Sequence, residues 1–244
     1  HERRAAEILG AELPGVFVSC SADVFQGMRE FERWTTTTVN AFTGPMFDTY
    51  VARLESGLGR RGFGGSLYIM ASSGGMLTTT TARRYPVRAL ESGPAAGALM
   101  SPAHGRALKL QNLLSFDMGG TTAKGALVRG GEPIKKYEME VARAYEFRRG
   151  SGMPVRIPVI DMIEIGAGGG SIAEVDERGL LRVGPRSAGA MPGPACYGRG
   201  GTRPTLTDAN LVLGYLDADF FLGGKMKLDK AASEKAIAEN VGKP

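Results

Sequence analysis

Leu113-Leu114-Ser115-Phe116-Asp117-Met118-Gly119-Gly120-Thr121-Thr122 is the stretch that decides the fold. Its apolar opening, Leu113 to Phe116, reads as a buried strand, and an acid, two glycines and two hydroxyls arrive together where that strand ends. Glycine has no Cβ, so its backbone N–H can approach an anion closely. Threonine hydroxyls donate to phosphate oxygens. A carboxylate such as Asp117 suits Mg2+, which keeps most of its waters and takes only one or two acidic ligands. These residues predict a nucleotide-phosphate site. Gly119, Gly120, Thr121 and Thr122 face the phosphates, Asp117 holds Mg2+ through water, and Asp117 and Thr121 stand at the reacting centre. The same residues also suit a plain Gly-Gly hairpin turn with a capping Asp and Thr.

Downstream, Lys124 to Val128 reads as a second short strand and Gly130 to Pro133 as a turn. Ile134 to Val141 reads as a half-buried strand, with Tyr137, Met139 and Val141 alternating against charged residues. The loop therefore joins two strands of an antiparallel meander. A Walker loop or a dinucleotide fingerprint needs a helix right after its glycines, so both are excluded. The order Asp-x-Gly-Gly-Thr resembles the hairpin phosphate loop of the actin, Hsp70 and sugar-kinase superfamily.

Upstream, Gly15 to Ser19 and Leu67 to Met70 read as short strands. A helix is expected from Pro45, where Met46, Tyr50, Leu54 and Leu58 recur at helical spacing, and another from Pro94 to Leu110. The lone His104 in the latter suits the surface or packing. Glu30, Glu32 and Arg33 can line a pocket or form a solvated face. Beyond the meander, Arg143 to Pro158 reads as a basic loop and Val159 to Ile165 as a strand. A hairpin turns around Asp176 to Gly179, and Thr207-Asp208 caps a helix. Asp208 is also a candidate for a ribose or a metal. The fold class is α/β with a mixed sheet. A break near Gln111 separates residues 1–111, helix-rich with short strands, from residues 112–244, which hold the meander and a glycine-rich loop.

The 244 residues are 43% hydrophobic and 23% charged, an ordinary globular balance. The 36 glycines are about twice the usual share and cluster in blocks, which points to functional loops. A net charge of +5 is spread out, with no basic stripe interleaved with aromatics, which argues against a nucleic-acid partner. No apolar run is long enough to cross a membrane and no signal peptide opens the chain. Cys20 and Cys196 are far apart and make no metal spacing, so a reducing cytoplasm is expected. The chain begins without Met inside a helical pattern and reads as a piece of a longer polypeptide.

A second anion-loop candidate is Gly166-Ala167-Gly168-Gly169-Gly170-Ser171, after a strand carrying Asp161 and Glu164. Gly168, Gly169, Gly170 and Ser171 are placed near the nucleotide or the substrate, although flexibility alone also selects glycines. Cys196 has no base beside it in sequence.

Several stretches in order resemble the hydantoinase A/oxoprolinase family. They are Ser92-Gly93-Pro94-Ala95-Ala96-Gly97, the Phe116–Lys124 loop, Ile165 to Ala173, Val183 to Gly198 and Pro204 to Asn210. The likeness covers nearly the whole chain. It implies an actin-like ATPase (ribonuclease H-like) fold, present here as an incomplete piece because only one Asp-x-Gly-Gly-Thr loop occurs. It implies ATP with Mg2+ or another divalent metal. It also implies an oligomeric enzyme with a second, B-type hydantoinase subunit, acting on a cyclic amide of the hydantoin or 5-oxoproline type. In that chemistry the ring carbonyl oxygen is phosphorylated before C–N cleavage. The ATP-using subunit of a ketone carboxylase, or a non-catalytic fragment with an incomplete nucleotide site, are the alternatives. Relatives read Thr-Ser-Thr-Asp where this chain has Thr121-Thr122-Ala123-Lys124. Lys124 can therefore help hold a phosphate, or be a solvated strand residue.

Overall fold

Four consecutive threonines, Thr35 to Thr38, and Pro45 all lie inside one helix of 31 residues, Glu30–Arg60. The helix expected from Pro45 thus begins fifteen residues earlier. Threonine is a poor helix former because its hydroxyl competes for the backbone. Here that competition is resolved within the helix: Thr36, Thr37 and Thr43 donate to the carbonyls four residues back, Glu32, Arg33 and Val39, at 2.6, 2.8 and 2.8 Å. Thr35 instead donates to the Pro154 carbonyl at 2.5 Å, and Thr36 accepts the Arg156 N–H at 2.9 Å. The threonine run is the helix's seam to a neighbouring strand.

The computed structural model describes residues 1–145, 148 and 150–242. Three residues of the expected 143–158 loop, and the last two of the chain, lie outside the described residues. In chain order the elements are α1 (Glu2–Glu12), α2 (Ser21–Val24), α3 (Glu30–Arg60), β1 (Tyr68–Met70), β2 (Met76–Thr78), α4 (Thr79–Arg84) and α5 (Ser92–Ala107). Then come β3 (Leu113–Met118), β4 (Ala123–Arg129), β5 (Glu132–Pro133), β6 (Lys135–Lys136), β7 (Met139–Val141), β8 (Met153–Val155), β9 (Val159–Ile160) and β10 (Met162–Ile165). The chain finishes with β11 (Ser171–Val175), β12 (Leu181–Ser187), α6 (Leu206–Val212) and α7 (Lys230–Asn240). It is a mixed α/β protein. Among the described residues one sheet has the order β10-β4-β3 with β5 also on β4, and four further pairs are two-stranded.

Several expected strands differ. Gly15 to Ser19 is irregular. Ile134 to Val141 is split: β6 pairs with β9 and β7 with β8. Val159 to Ile165 is likewise split at Asp161. The strand read as buried at Leu113 to Phe116 leaves Leu114 67% and Phe116 57% exposed. A continuous apolar run suggests cover on both faces. Here alternate side chains remain open to solvent.

Two compact units interleave along the chain: His1–Ser115 with Ala126–Met162, and Phe116–Gly125 with Ile163–Pro244. β3 and β4 each contribute residues to both units. The first unit's core gathers Val24, Val39, Val87, Val155, Ile157 and Val159. A second cluster packs Ala95 and Ala98 of α5 against Ala126 and Ile160. The second unit centres on Cys196, Leu211 and Leu228.

Asn40, 1% exposed, holds three segments of the first unit. Its amide donates to Ser19 Oγ at 2.9 Å and to the Arg84 carbonyl at 3.2 Å, and its Oδ1 accepts the Val87 N–H at 3.3 Å. Asn40→Ala strands a buried donor and a buried acceptor, so a loss of about 2 kcal/mol is expected. A urea titration reads it as a lower midpoint at unchanged slope. An unmoved midpoint would show that these groups find other partners.

Candidate functional site

The second unit contains every residue assigned to phosphate or metal from the sequence. Asp117 is exposed near the end of β3 and has no ion-pair partner among the described residues. The chain then turns, and the Gly119 N–H donates to the Thr122 carbonyl at 2.9 Å, closing a two-residue loop of Gly120 and Thr121. The turn joins two strands, as expected. A Cβ at Gly120 would meet no protein atom within 4 Å. Among the described residues the backbone N–H groups of Gly120, Thr121 and Thr122 have no protein acceptor. The turn thus offers three consecutive N–H groups without a protein acceptor, open at Gly120, on the segment that carries an exposed carboxylate. That donor set suits phosphate oxygens and a hydrated Mg2+. Among the described residues no three His, Cys, Asp or Glu side chains come together as a metal cage. A cation here would rest on Asp117, water and ligand oxygens.

The second glycine loop does something the sequence reading missed. Gly169 N–H donates to the Gly119 carbonyl at 2.9 Å and Gly170 N–H to the Gly120 carbonyl at 2.8 Å. Gly168 N–H goes to Ser171 Oγ at 2.8 Å, and Ser171 N–H returns to the Gly168 carbonyl at 2.9 Å. All four N–H groups from Gly168 to Ser171 are therefore occupied within the protein, which leaves none of them for a nucleotide. Their glycines allow one backbone to lie on another. A Cβ at Gly168 would stand 2.6 Å from Thr121 N, and one at Gly170 would stand 3.1 Å from the Gly120 carbonyl oxygen. The loop takes up the Gly119 and Gly120 carbonyls and makes no hydrogen bond to that turn's N–H groups. Thr207 anchors it from α6, donating its N–H and its hydroxyl to the Gly169 carbonyl, both at 2.8 Å.

Gly168→Ala should accordingly cost about 1–3 kcal/mol, the usual range for overpacking a close contact. Gly120→Ala should leave stability unchanged, since its Cβ enters open space. Chemical denaturation of the two variants in parallel checks this, and equal midpoints would contradict the contact.

Asp208 is fully buried, and its role differs from the metal or ribose role considered for it. Oδ1 accepts the Cys196 N–H at 2.8 Å and the Ser233 hydroxyl at 2.7 Å. Oδ2 accepts the Thr205 N–H and hydroxyl, both at 2.8 Å, and the Ala195 N–H at 3.2 Å. Five protein donors occupy the carboxylate, which leaves no lone pair for a metal. Thr205 is the N-cap of α6, and Asp208 completes a capping box with it. The spacing Thr205-x-x-Asp208 is the sequence signal for that box. Burial pushes the Asp208 pKa up, but the hydrogen bonds from Ser233, Cys196 and Thr205 outweigh it and hold the group below its ordinary value. Burial, reinforced by the Asp208 charge, pushes the Cys196 thiol up to about 12. Cys196 therefore stays protonated at neutral pH and is no nucleophile.

Lys124 is half-buried, 3.6 Å from Glu164 Oε1, rather than freely solvated. In the first unit, Arg33 is bound to Glu2 at 2.9 Å and Glu32 to Arg156 at 3.4 Å, while Glu30 is exposed in the first turn of α3. These charges are ion-paired or solvated. His104 is exposed in the last turn of α5. Among the described residues no helix is long and apolar enough to cross a membrane.

The sequence pattern of the hydantoinase/oxoprolinase family matches residues 33–244. The chain is similar to caprolactamase subunit alpha of Pseudomonas jessenii, 38% identical over 244 residues, covering 100% of this chain and 34% of that protein. The crystal structure of that ATP-dependent caprolactamase superposes with a TM-score of 0.71 at 37% identity, over 99% of this chain and 34% of its own. The acetophenone carboxylase gamma subunit of Aromatoleum aromaticum is 37% identical over 251 residues, covering 100% of this chain and 33% of that protein. A nucleotide-free acetone carboxylase structure gives a TM-score of 0.73 at 28% identity, over 100% of this chain and 33% of its own. The chain spans about a third of the length of these two relatives.

Proposed function

The chain belongs to the hydantoinase/oxoprolinase family, and on that footing we propose that it carries the phosphate-binding part of an ATP-dependent cyclic-amide hydrolase. The observation that carries this reading is the Gly119–Thr122 turn, with three N–H groups free of protein acceptors among the described residues, on the segment that carries the exposed Asp117. In this reading Gly120, Thr121 and Thr122 receive the phosphates of ATP, and Asp117 orients Mg2+ through its waters. Gly168, Gly169, Gly170 and Ser171 hold the turn in place, and Lys124 adds a nearby positive charge. Mg2+ supplies charge neutralisation at the phosphates. The ring carbonyl oxygen of a hydantoin or 5-oxoproline type substrate takes the γ-phosphoryl group as ADP leaves, and water then adds to that carbon, so that the C–N bond breaks to a carboxylate and an amine and phosphate is released. Structural likeness to ATP-dependent relatives supports an actin-like ATPase fold. That the relatives are subunits supports a second, B-type subunit and an oligomer.

The carboxylase relatives favour a second reading, an ATP-using subunit that phosphorylates an enol and adds bicarbonate. An ATPase assay on the whole protein separates the readings. Turnover stimulated by hydantoin, 5-oxoproline or a larger lactam supports the first. Turnover that needs a ketone with bicarbonate supports the second. No binding of ATP-Mg at millimolar concentration leaves a non-catalytic module.

A further inference from the structure

The first unit contains a cleft of about 580 Å3, within the range of small-molecule sites. Val24, Ala71, Leu77 and Ile157 make much of its wall apolar. Three ionised side chains reach it, and two are already neutralised. Asp23 is paired with Arg3 at 2.9 Å and Arg84 at 3.0 Å. Arg156 is paired with Glu138 at 2.9 Å and Glu32 at 3.4 Å.

Arg88 is the exception. Among the described residues no carboxylate lies within ion-pair distance of it. Its guanidinium carbon sits over the Tyr85 ring, 4.7 Å from the centroid, and its N–H donors have no hydrogen-bond partner among the described residues. Its backbone is pinned as well, since Ser72 donates both its N–H and its hydroxyl to the Arg88 carbonyl at 2.8 Å. Ser73, in the same wall, has a hydroxyl with no partner among the described residues. A preorganised guanidinium at an apolar cleft is the arrangement that recognises a carboxylate bidentately while its hydrocarbon body fills the apolar part.

We infer that this cleft binds a small organic carboxylate with an apolar body, held at its charged end by Arg88. This site is independent of the nucleotide reading, and its test contains no ATP. Benzoate and benzamide match in size and differ in charge. Titrated calorimetrically into the protein, benzoate should bind at least tenfold more tightly than benzamide, a difference of about 1.4 kcal/mol. Arg88→Gln should bring benzoate down to the benzamide level while the circular dichroism spectrum stays unchanged. Arg88→Lys, which keeps the charge and loses the fork, should fall between. The inference is overturned if benzoate does not bind, if benzamide binds equally well, or if a folded Arg88→Gln retains wild-type benzoate affinity. Should Arg88→Gln fail to fold, the benzoate–benzamide comparison on the wild type and on Arg88→Lys decides.

Discussion

Asp208→Ala is expected to destabilise the protein by about 4 kcal/mol, a large fraction of the stability of an ordinary domain. The carboxylate is 0% exposed and accepts five hydrogen bonds. Those donors come from the Ala195–Cys196 turn, the α6 cap and Ser233 of α7. Removing the acceptor leaves buried N–H and O–H groups without partners, which costs more than the lost bonds themselves. The effect carries a pH signature. The folded pKa lies below the unfolded one, so the ionised group stabilises the fold above an unfolded value of about 3.9. That contribution fades as pH falls through the folded value. Wild type should therefore lose stability on acidification below about pH 4, and Asp208→Ala should lack that part of the acid dependence. Urea midpoints at pH 7 and at pH 3 test both statements. A loss under about 1 kcal/mol at pH 7 would mean that water substitutes for the carboxylate.

Asp117→Asn should have the opposite profile. Asp117 is exposed and has no ion-pair partner among the described residues. Its replacement by an isosteric amide should leave the urea midpoint within about 0.5 kcal/mol of wild type. On the proposed function, ATP turnover of the whole protein should drop on the order of 10^3-fold, about 4 kcal/mol in the barrier. Steady-state ATPase rates at saturating Mg2+ make the measurement. Near-normal turnover would remove Asp117 from the metal, and with it the principal charged group of the proposed site.

Local signals were the legible ones. The Asp-x-Gly-Gly-Thr turn and the hairpin around Asp176 to Gly179 each depend on residues close in sequence, and each lies where its pattern placed it. Asp176 Oδ1, for example, accepts the N–H groups of Arg178 and Leu180 inside its own turn. Long-range competition was not legible. Thr35 and Thr36 are helical partly because a strand more than a hundred residues away supplies bonds to their hydroxyls. Gly168 to Gly170 read as an anion loop because composition does not say what a glycine lies against. Asp208 read as a helix cap and as a ribose or metal candidate because three of its five donors, on Ala195, Cys196 and Ser233, lie twelve or more residues away.

The two glycine turns share their backbone bonds, so neither is a separable part. Grafting the Asp117–Thr122 segment from a relative into this chain, without also grafting the partner segment around Gly168, would set a foreign turn on a bed shaped for another. Chimeras and randomised libraries built on this unit should exchange both segments as one cassette, despite the more than forty residues between them.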